Sequence, residues 1–187
     1  MQKDKDAVKY NRFICDFYNS LNEIKKEYTE LIFLCIGTDT MTGDCFGPLV
    51  GKNIKNATKQ NIIKCEVYGD LENPVVFSNI DKSLKRIKKL YKNPCIIAVD
   101  AALSKQKNIG KIIVKSGGIK SGIAINKQKR EIGNISIKAI VGENYKKVDK
   151  NLQLLQSTSL SFVMNLASIV SDGIIEVLKQ ENNICVI

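Results

Sequence analysis

The sequence predicts a three-layer α/β fold, in which a mostly parallel sheet with antiparallel additions lies between layers of helices. Two continuously apolar segments, residues 31–36 and 95–99, have the composition of strands buried on both faces, as in parallel sheets. One segment with helical spacing of apolar residues precedes the first of them, and others lie between the two. Alternating strands and helices favour right-handed βαβ units and a parallel core. We expect residues 1–187 to form a single α/β domain.

The first part of the chain supplies a helix and a βα unit. Apolar residues recur at three- and four-residue intervals over 6–30, which predicts an amphipathic helix, so that the segment 1–30 packs on the sheet. The strand over 31–36 leads through a polar loop into a helix over about residues 44–58. Asp44 is placed as the N-cap of that helix, and Pro48 falls in its first turn.

The next part of the chain repeats this pattern. A second strand is predicted over residues 62–68 and a third over 95–99, where the apolar run stops at Asp100. The helix between these strands has four apolar residues on its buried side: Ile80, Leu84, Ile87 and Leu90. The lysines that share this helix are interpreted as a solvated face.

After Asp100 the pattern changes to shorter segments. Residues 111–115 and 132–141 are typical of strands that pair as antiparallel additions, and residues 143–156 have no clear assignment. Ser159 is placed as the cap of a last helix. The predicted buried stripe of that helix is Leu160, Val163, Ala167, Val170, Ile174 and Val177.

The composition narrows the classes of partner. The net charge is +10, but the lysines are spread over many segments with few aromatic residues between them, so we interpret them as solvated surface and expect no nucleic-acid partner. No stretch of about 20 apolar residues and no N-terminal apolar signal core is recognised, so we expect no membrane contact and a cytoplasmic protein. The six cysteines have no CxxC spacing, which favours reduced thiols.

The chain contains no histidine. Histidine is the usual general base near neutral pH, so its absence excludes a Ser-His-Asp triad, a Cys-His dyad and an HExxH zinc site. Hydrolytic chemistry would have to depend on carboxylates, lysine, cysteine or a metal ion.

Four aspartates are predicted to meet at one edge of the sheet. Asp44 follows the first strand, Asp70 follows the second, Asp100 ends the third, and Asp39 lies in the first loop. Because residues after parallel strands converge on one crevice, we expect these carboxylates to face it. Local roles remain open alternatives, namely helix capping for Asp44 and a turn for Asp70 beside Gly69. Asp100 follows a fully apolar run, which favours a functional role.

Two segments carry a family resemblance. The sequences IGTDTMTGDCFGPLVG (36–51) and IIAVDAALS (96–104) resemble the sporulation protein family of the YyaC type over about residues 32–178. That family is similar to the germination protease of bacterial spores and, more distantly, to hydrogenase maturation endopeptidases. The resemblance implies a phosphorylase/hydrolase-like fold. It also implies an endopeptidase that acts on a spore or sporulation protein in the forespore cytoplasm.

The motifs of the germination protease place its two essential aspartates on Asp44, before Gly47 and Pro48, and on Asp100. The first motif departs from the pattern, because its asparagine is replaced near Thr38 and Asp39. The chain is also much shorter than a germination protease. The missing histidine leaves nickel recognition of the hydrogenase-maturation type unsupported.

The resulting hypothesis assigns different roles to the two acids. Close carboxylates cannot both ionise easily, so Asp44 would be the ionised base that activates water and Asp100 the protonated acid that polarises a peptide carbonyl. Backbone N–H groups from Gly43 to Phe46 are candidates for holding the oxyanion. The candidate substrate-binding residues are Thr38, Asp39, Thr40, Gly43, Cys45, Asp70, Gly117 and Gly118.

Two other functions remain open. One is a non-catalytic module that binds a peptide or protein in the same crevice. The other uses Asp39, Asp44, Asp70 and Asp100 as oxygen ligands for Mg²⁺ or Ca²⁺. We favour neither a metal nor another cofactor, and the sequence leaves the oligomeric state open.

Overall fold

A computed structural model describes residues 2–24, 28–120 and 131–184. The helices are α1 (Gln2–Ile24), α2 (Phe46–Lys59), α3 (Ile80–Leu90), α4 (Val148–Ser157) and α5 (Leu160–Ile184). The strands are β1 (Glu30–Cys35), β2 (Glu66–Tyr68), β3 (Pro94–Ser104), β4 (Ile112–Ser116), β5 (Ile119–Lys120), β6 (Glu131–Ile132) and β7 (Ile135–Glu143).

The main sheet has five strands in the order β2-β1-β3-β7-β4. All neighbours are parallel except β4, which runs antiparallel to β7 at the edge. This confirms the predicted α/β fold with a mostly parallel sheet. The expectation that both later strands are antiparallel additions is right for β4 and wrong for β7, which joins the parallel core beside β3. Strands β5 and β6 form a separate antiparallel pair.

Helices bury both faces of the sheet. On one face α1, α2 and α5 enclose the larger core, in which Phe13, Phe17, Phe46 and Val170 lie against alternate residues of the strands. On the other face the buried side of α3 and the β5–β6 pair cover a smaller core that includes Ala98. Burial of these apolar side chains is the main favourable contribution to folding.

Several predicted boundaries shift. The first helix, which is described over Gln2–Ile24, does not reach residue 30 as predicted, because Glu30 already belongs to β1. Strand β2 has three residues rather than seven, because the preceding residues form the turn after α2. The strand predicted over 132–141 is divided at Gly133 into β6 and β7. Leu90 and Leu160 are exposed, so neither belongs to the buried stripe predicted for its helix.

The apolar composition of α5 differs from one expectation drawn from the sequence. By length and apolar content, its segment Leu160–Gln180 is sufficient to cross a membrane, so the expectation that no segment reaches that limit is wrong. Half of this segment is buried inside the fold, where Val163, Val170 and Val177 pack in the larger core. This packing accounts for its apolar composition.

The third strand is longer than predicted and extends past the end of β1. Strand β1 pairs with β3 as far as Val99, and the Ile36 N–H then donates to the Val99 carbonyl at 2.7 Å. Strand β3 continues to Ser104 beside β7, with an irregularity after Ala102. Asp100 is therefore the first residue of β3 beyond the end of its neighbour, not the last residue of the strand.

Candidate active site

The loop after β1 is fixed by close backbone packing. Gly37 has φ +137°, and an added Cβ there would lie 2.0 Å from the Asp44 carbonyl oxygen. At Gly47 an added Cβ would lie 2.1 Å from the Ile36 carbonyl oxygen. A 3₁₀ turn, Thr42–Cys45, joins this loop to α2. The glycines thus let the start of α2 lie directly against the end of β1, which brings Asp44 to the sheet edge.

Asp44 lies in the 3₁₀ turn and does not have the predicted N-cap position. The residue before α2 is Cys45, and the Asp44 carboxylate accepts a hydrogen bond from the Thr38 N–H at 3.1 Å. Burial raises the pKa of Asp44, and the bond from Thr38 partly offsets this effect. The Asp44 N–H donates to the Met41 carbonyl, so this one of the predicted oxyanion donors is already paired.

Asp100 has the more strongly perturbed acidity. Burial raises the pKa of Asp100 to about 7, and the nearby Asp44 charge acts in the same direction. The Lys138 ammonium and the Ala101 N–H favour the ionised form and limit the increase. Near neutral pH, Asp100 can therefore hold a proton beside the Asp44 carboxylate. Two neighbouring carboxyl groups in different environments can supply an acid and a base to a reaction.

Lys138 is a residue that the sequence analysis did not single out. It lies on β7 directly opposite Asp100 in the parallel pairing of β3 with β7. The available signal was a lysine inside an otherwise apolar strand, because a charged side chain rarely lies at such a position without a partner.

The polar loop between Gly37 and the 3₁₀ turn is partly organised around Thr38. The hydroxyls of Thr38 and Thr40 lie 3.1 Å apart, and the Thr38 backbone N–H is the group that holds Asp44. Asp39 is exposed, and it lies close enough to Cys45 to affect that thiol. Burial raises the pKa of Cys45, and the charges of Asp39 and Asp44 raise it further. Cys45 is therefore held as a neutral thiol beside the carboxylates.

Asp70 is only 5% exposed, and its carboxylate is fully engaged. It accepts hydrogen bonds from Lys55 Nζ at 2.5 Å, from the Glu72 N–H at 2.8 Å and from the Asn73 N–H at 2.7 Å. Burial alone would raise the pKa of Asp70, but these donors outweigh it and lower the pKa. The geometry matches the turn role that the sequence left open, and contact with a substrate stays a prediction.

The predicted glycines differ in their surroundings. Gly43 faces α4, since an added Cβ would lie 2.7 Å from Leu155 Cδ2. Gly118 lies against β6, where a Cβ would meet the Ile132 backbone at 2.6 Å. Gly117 has more space, because the nearest atom to an added Cβ is Glu131 Oε2 at 3.8 Å. Gly117 and Gly118 line a groove of about 410 Å³ on the sheet face that contains Lys138. Substrate contact at these glycines stays a prediction.

The four aspartates do not gather into one cluster. Asp44 and Asp100 interact electrostatically, Asp39 is exposed, and Asp70 is paired with Lys55 on α2. Among residues 2–24, 28–120 and 131–184, no group of three or more acidic or cysteine side chains is placed to hold a metal ion. The described acids therefore do not form the four-carboxylate cation site considered from the sequence.

The fold, with this sheet order and these helical layers, is similar to that of a solved hydrogenase maturation protease. The [NiFe] hydrogenase maturation protease HycI from Thermococcus kodakarensis KOD1 is similar with a TM-score of 0.52 and 18% identity, covering 85% of this chain and 98% of HycI. HybD, a [NiFe] hydrogenase maturation protease from Thermococcus kodakarensis, gives a TM-score of 0.43 and 16% identity, covering 77% of this chain and 96% of HybD. At these identities the likeness concerns the fold.

The chain belongs to the family DUF1256, described as a protein of unknown function, whose profile matches residues 2–173. It is 37% identical over 146 residues to the uncharacterized protein YyaC of Bacillus subtilis (strain 168), covering 77% of this chain and 67% of YyaC. These findings confirm the resemblance to the YyaC type. The relation to the germination protease stays a prediction.

Proposed function

We propose that this protein is an aspartate-dependent endopeptidase, with Asp44 and Asp100 as its catalytic residues. The observation that supports the proposal is the pair of unequal carboxylates at the sheet edge, where burial and the Asp44 charge raise the pKa of Asp100 to about 7. The fold shared with maturation endopeptidases is consistent with the proposal without establishing an activity.

In the proposed reaction the two acids have complementary roles. The ionised Asp44 accepts a proton from a water molecule as the water oxygen attacks the peptide carbonyl carbon. The protonated Asp100 donates a hydrogen bond to the carbonyl oxygen, on which negative charge develops. The C–N bond then breaks as the proton taken up by Asp44 passes to the leaving amine nitrogen, so that a carboxylic acid and an amine are released and both aspartates return to their starting states. The Thr38 N–H keeps Asp44 oriented throughout. Activity should fall as the pH rises through about 7, because Asp100 then loses the proton that it must donate.

We further propose that the substrate is a spore or sporulation protein and that the protein acts in the cytoplasm of the forespore. The support for this substrate class is the resemblance of residues 36–51 and 96–104 to the motifs of the germination protease. Small acid-soluble spore proteins are therefore the first substrates to test.

The test compares the wild type with Asp44→Asn, Asp100→Asn and the control Asp149→Asn, which changes an exposed acid in the first turn of α4. Each protein is incubated with small acid-soluble spore proteins from pH 5 to pH 8, and new N-termini are identified by mass spectrometry. We expect specific cleavage by the wild type and the control, and loss of at least about 100-fold in each site variant. Equal cleavage by the site variants, or none by the wild type at any pH, would overturn the proposal. Stable binding without cleavage would instead favour a peptide-binding module.

A further inference from the structure

Lys138 shares one face of the sheet with Asp100. The two residues are register partners on β7 and β3, and paired positions on neighbouring strands lie about 5 Å apart. Side chains alternate along a strand, so Asp100 lies on the same face as Ala98, which is buried in the smaller core. Ser136 and Lys138 occupy the corresponding positions on β7. The lysine side chain therefore extends beside the carboxylate, on the side away from β1.

Lys138 also borders open space. Together with Ile113, Lys115, Ser136 and Glu131 it lines the groove of about 410 Å³ described above. Lys138 is half-buried and lies in register between Asp100 on β3 and Ile113 on β4. Its charge is therefore close to Asp100 without being enclosed in the core.

We propose that Lys138 is a positioning residue of the Asp44–Asp100 pair. Its ammonium is a nearby countercharge for Asp100 and balances the single negative charge that remains when the two acids share a proton. This inference rests on the proposed function for its role in catalysis, whereas the interaction itself is independent of any activity.

The charged groups near Asp100 indicate how Lys138 affects the ionisation of that carboxyl. Among the described residues, the charged groups that act on Asp100 are Asp44 from the 3₁₀ turn and Lys138 from β7, together with the Ala101 N–H. Asp44 makes ionisation of Asp100 harder, and Lys138 makes it easier. Removing the ammonium should therefore move the titration of Asp100 to higher pH, by about 1 pH unit for a nearby opposite charge.

The experiment uses Lys138→Met, Lys138→Arg and the control Lys115→Met. Lys115 lines the same groove, but its register partner on β7 is Ser136, whereas the register partner of Asp100 is Lys138. Two quantities are measured: the pH dependence of kcat/KM for spore-protein cleavage, and the titration of the Asp100 carboxyl carbon by ¹³C NMR. Circular dichroism establishes that each variant is folded, and Lys138→Gln replaces the methionine variant if that one does not fold.

In Lys138→Met we expect two shifts to higher pH by about 1 unit: that of the alkaline limb of the pH profile of kcat/KM, and that of the Asp100 titration. We expect Lys138→Arg to restore both, and Lys115→Met to leave both unchanged. An Asp100 titration that is identical in the folded wild type and Lys138→Met would overturn the inference. If the wild type cleaves nothing, the proposed function fails, but the NMR titration still decides whether Lys138 acts on Asp100.

Discussion

Replacing Asp100 by asparagine should stabilise the fold above pH 7. Asparagine has nearly the same shape as a protonated aspartic acid, but it never becomes ionised. The raised pKa of Asp100 means that its ionised form is disfavoured in the folded state relative to the unfolded chain. The wild type therefore loses stability when this group ionises, and the variant does not.

The size of the stability difference follows from the pKa of Asp100. One pKa unit corresponds to about 1.4 kcal/mol, so a pKa near 7 in place of 3.8 gives a stability difference of at most about 4 kcal/mol. Asp100 retains partial exposure, so we reduce this figure for solvent screening to about 2 kcal/mol. The sign follows from the raised pKa. The stabilising contribution of the protonated group is complete below pH 4, falls as the pH rises from 4 to 7, and is lost above 7.

Urea unfolding of the wild type and Asp100→Asn at pH 4, 5, 6, 7 and 8 measures the effect. We expect nearly equal free energies of unfolding at pH 4 and a variant more stable by about 2 kcal/mol at pH 8. Asp149→Asn is the control, with a difference from the wild type that changes little over this range. A wild-type-to-variant difference that does not change with pH, or a variant less stable at pH 8, would refute the raised pKa of Asp100.

Three further predictions concern the surroundings of the site. Gly47→Ala should destabilise the fold by about 2 kcal/mol or more, because its Cβ would overlap the Ile36 carbonyl oxygen. Calorimetry should show a melting temperature lowered by about 5 °C. The control Lys52→Ala, at an exposed position, should change the melting temperature little. Lys55→Met leaves the buried Asp70 carboxylate without its cation and should cost about 1–3 kcal/mol in urea unfolding at pH 7. Because the pKa of Asp70 is lowered, this cost should shrink as the pH falls below 4, and a cost that persists at pH 2 would contradict the ion-pair explanation. Buried Cys45 should react with iodoacetamide at pH 8 far more slowly than exposed Cys15, as followed by peptide mass spectrometry, and equal rates would contradict a neutral, enclosed thiol.

The parts of the fold that were predictable have strong local patterns. Residues 31–36 and 95–99 are continuously apolar, and α3 places Ile80, Leu84 and Ile87 on one side, so that strands and helix follow from periodicity. Helix α4 was not predicted, although Val148, Leu152 and Leu155 recur at helical spacing, and in the structure none of its residues is fully buried. It packs on the 3₁₀ turn through Leu155 against Gly43, which is a tertiary contact that spacing does not show.

The two acids of the candidate site could be predicted from the sequence, but the interactions that hold them could not. Topology brings the ends of β1 and β3 to one edge, so the sequence could place Asp44 and Asp100 in the same crevice. The partner of Asp44 could not be predicted, because Thr38 binds it through a backbone N–H rather than through its hydroxyl. Lys138 was missed because its position beside Asp100 depends on strand register, and Lys55 was missed because its ion pair with Asp70 depends on the approach of α2.

The ¹³C NMR titration of the side-chain carboxyls in the wild type and in Asp44→Asn is the most direct measurement of whether Asp44 affects the pKa of Asp100. We expect Asp100 of the wild type to titrate near pH 7 and to titrate at lower pH in the variant, because the like charge of Asp44 is removed. An Asp100 carboxyl that titrates near pH 4 in the wild type, or at the same pH in both proteins, would contradict the shared site.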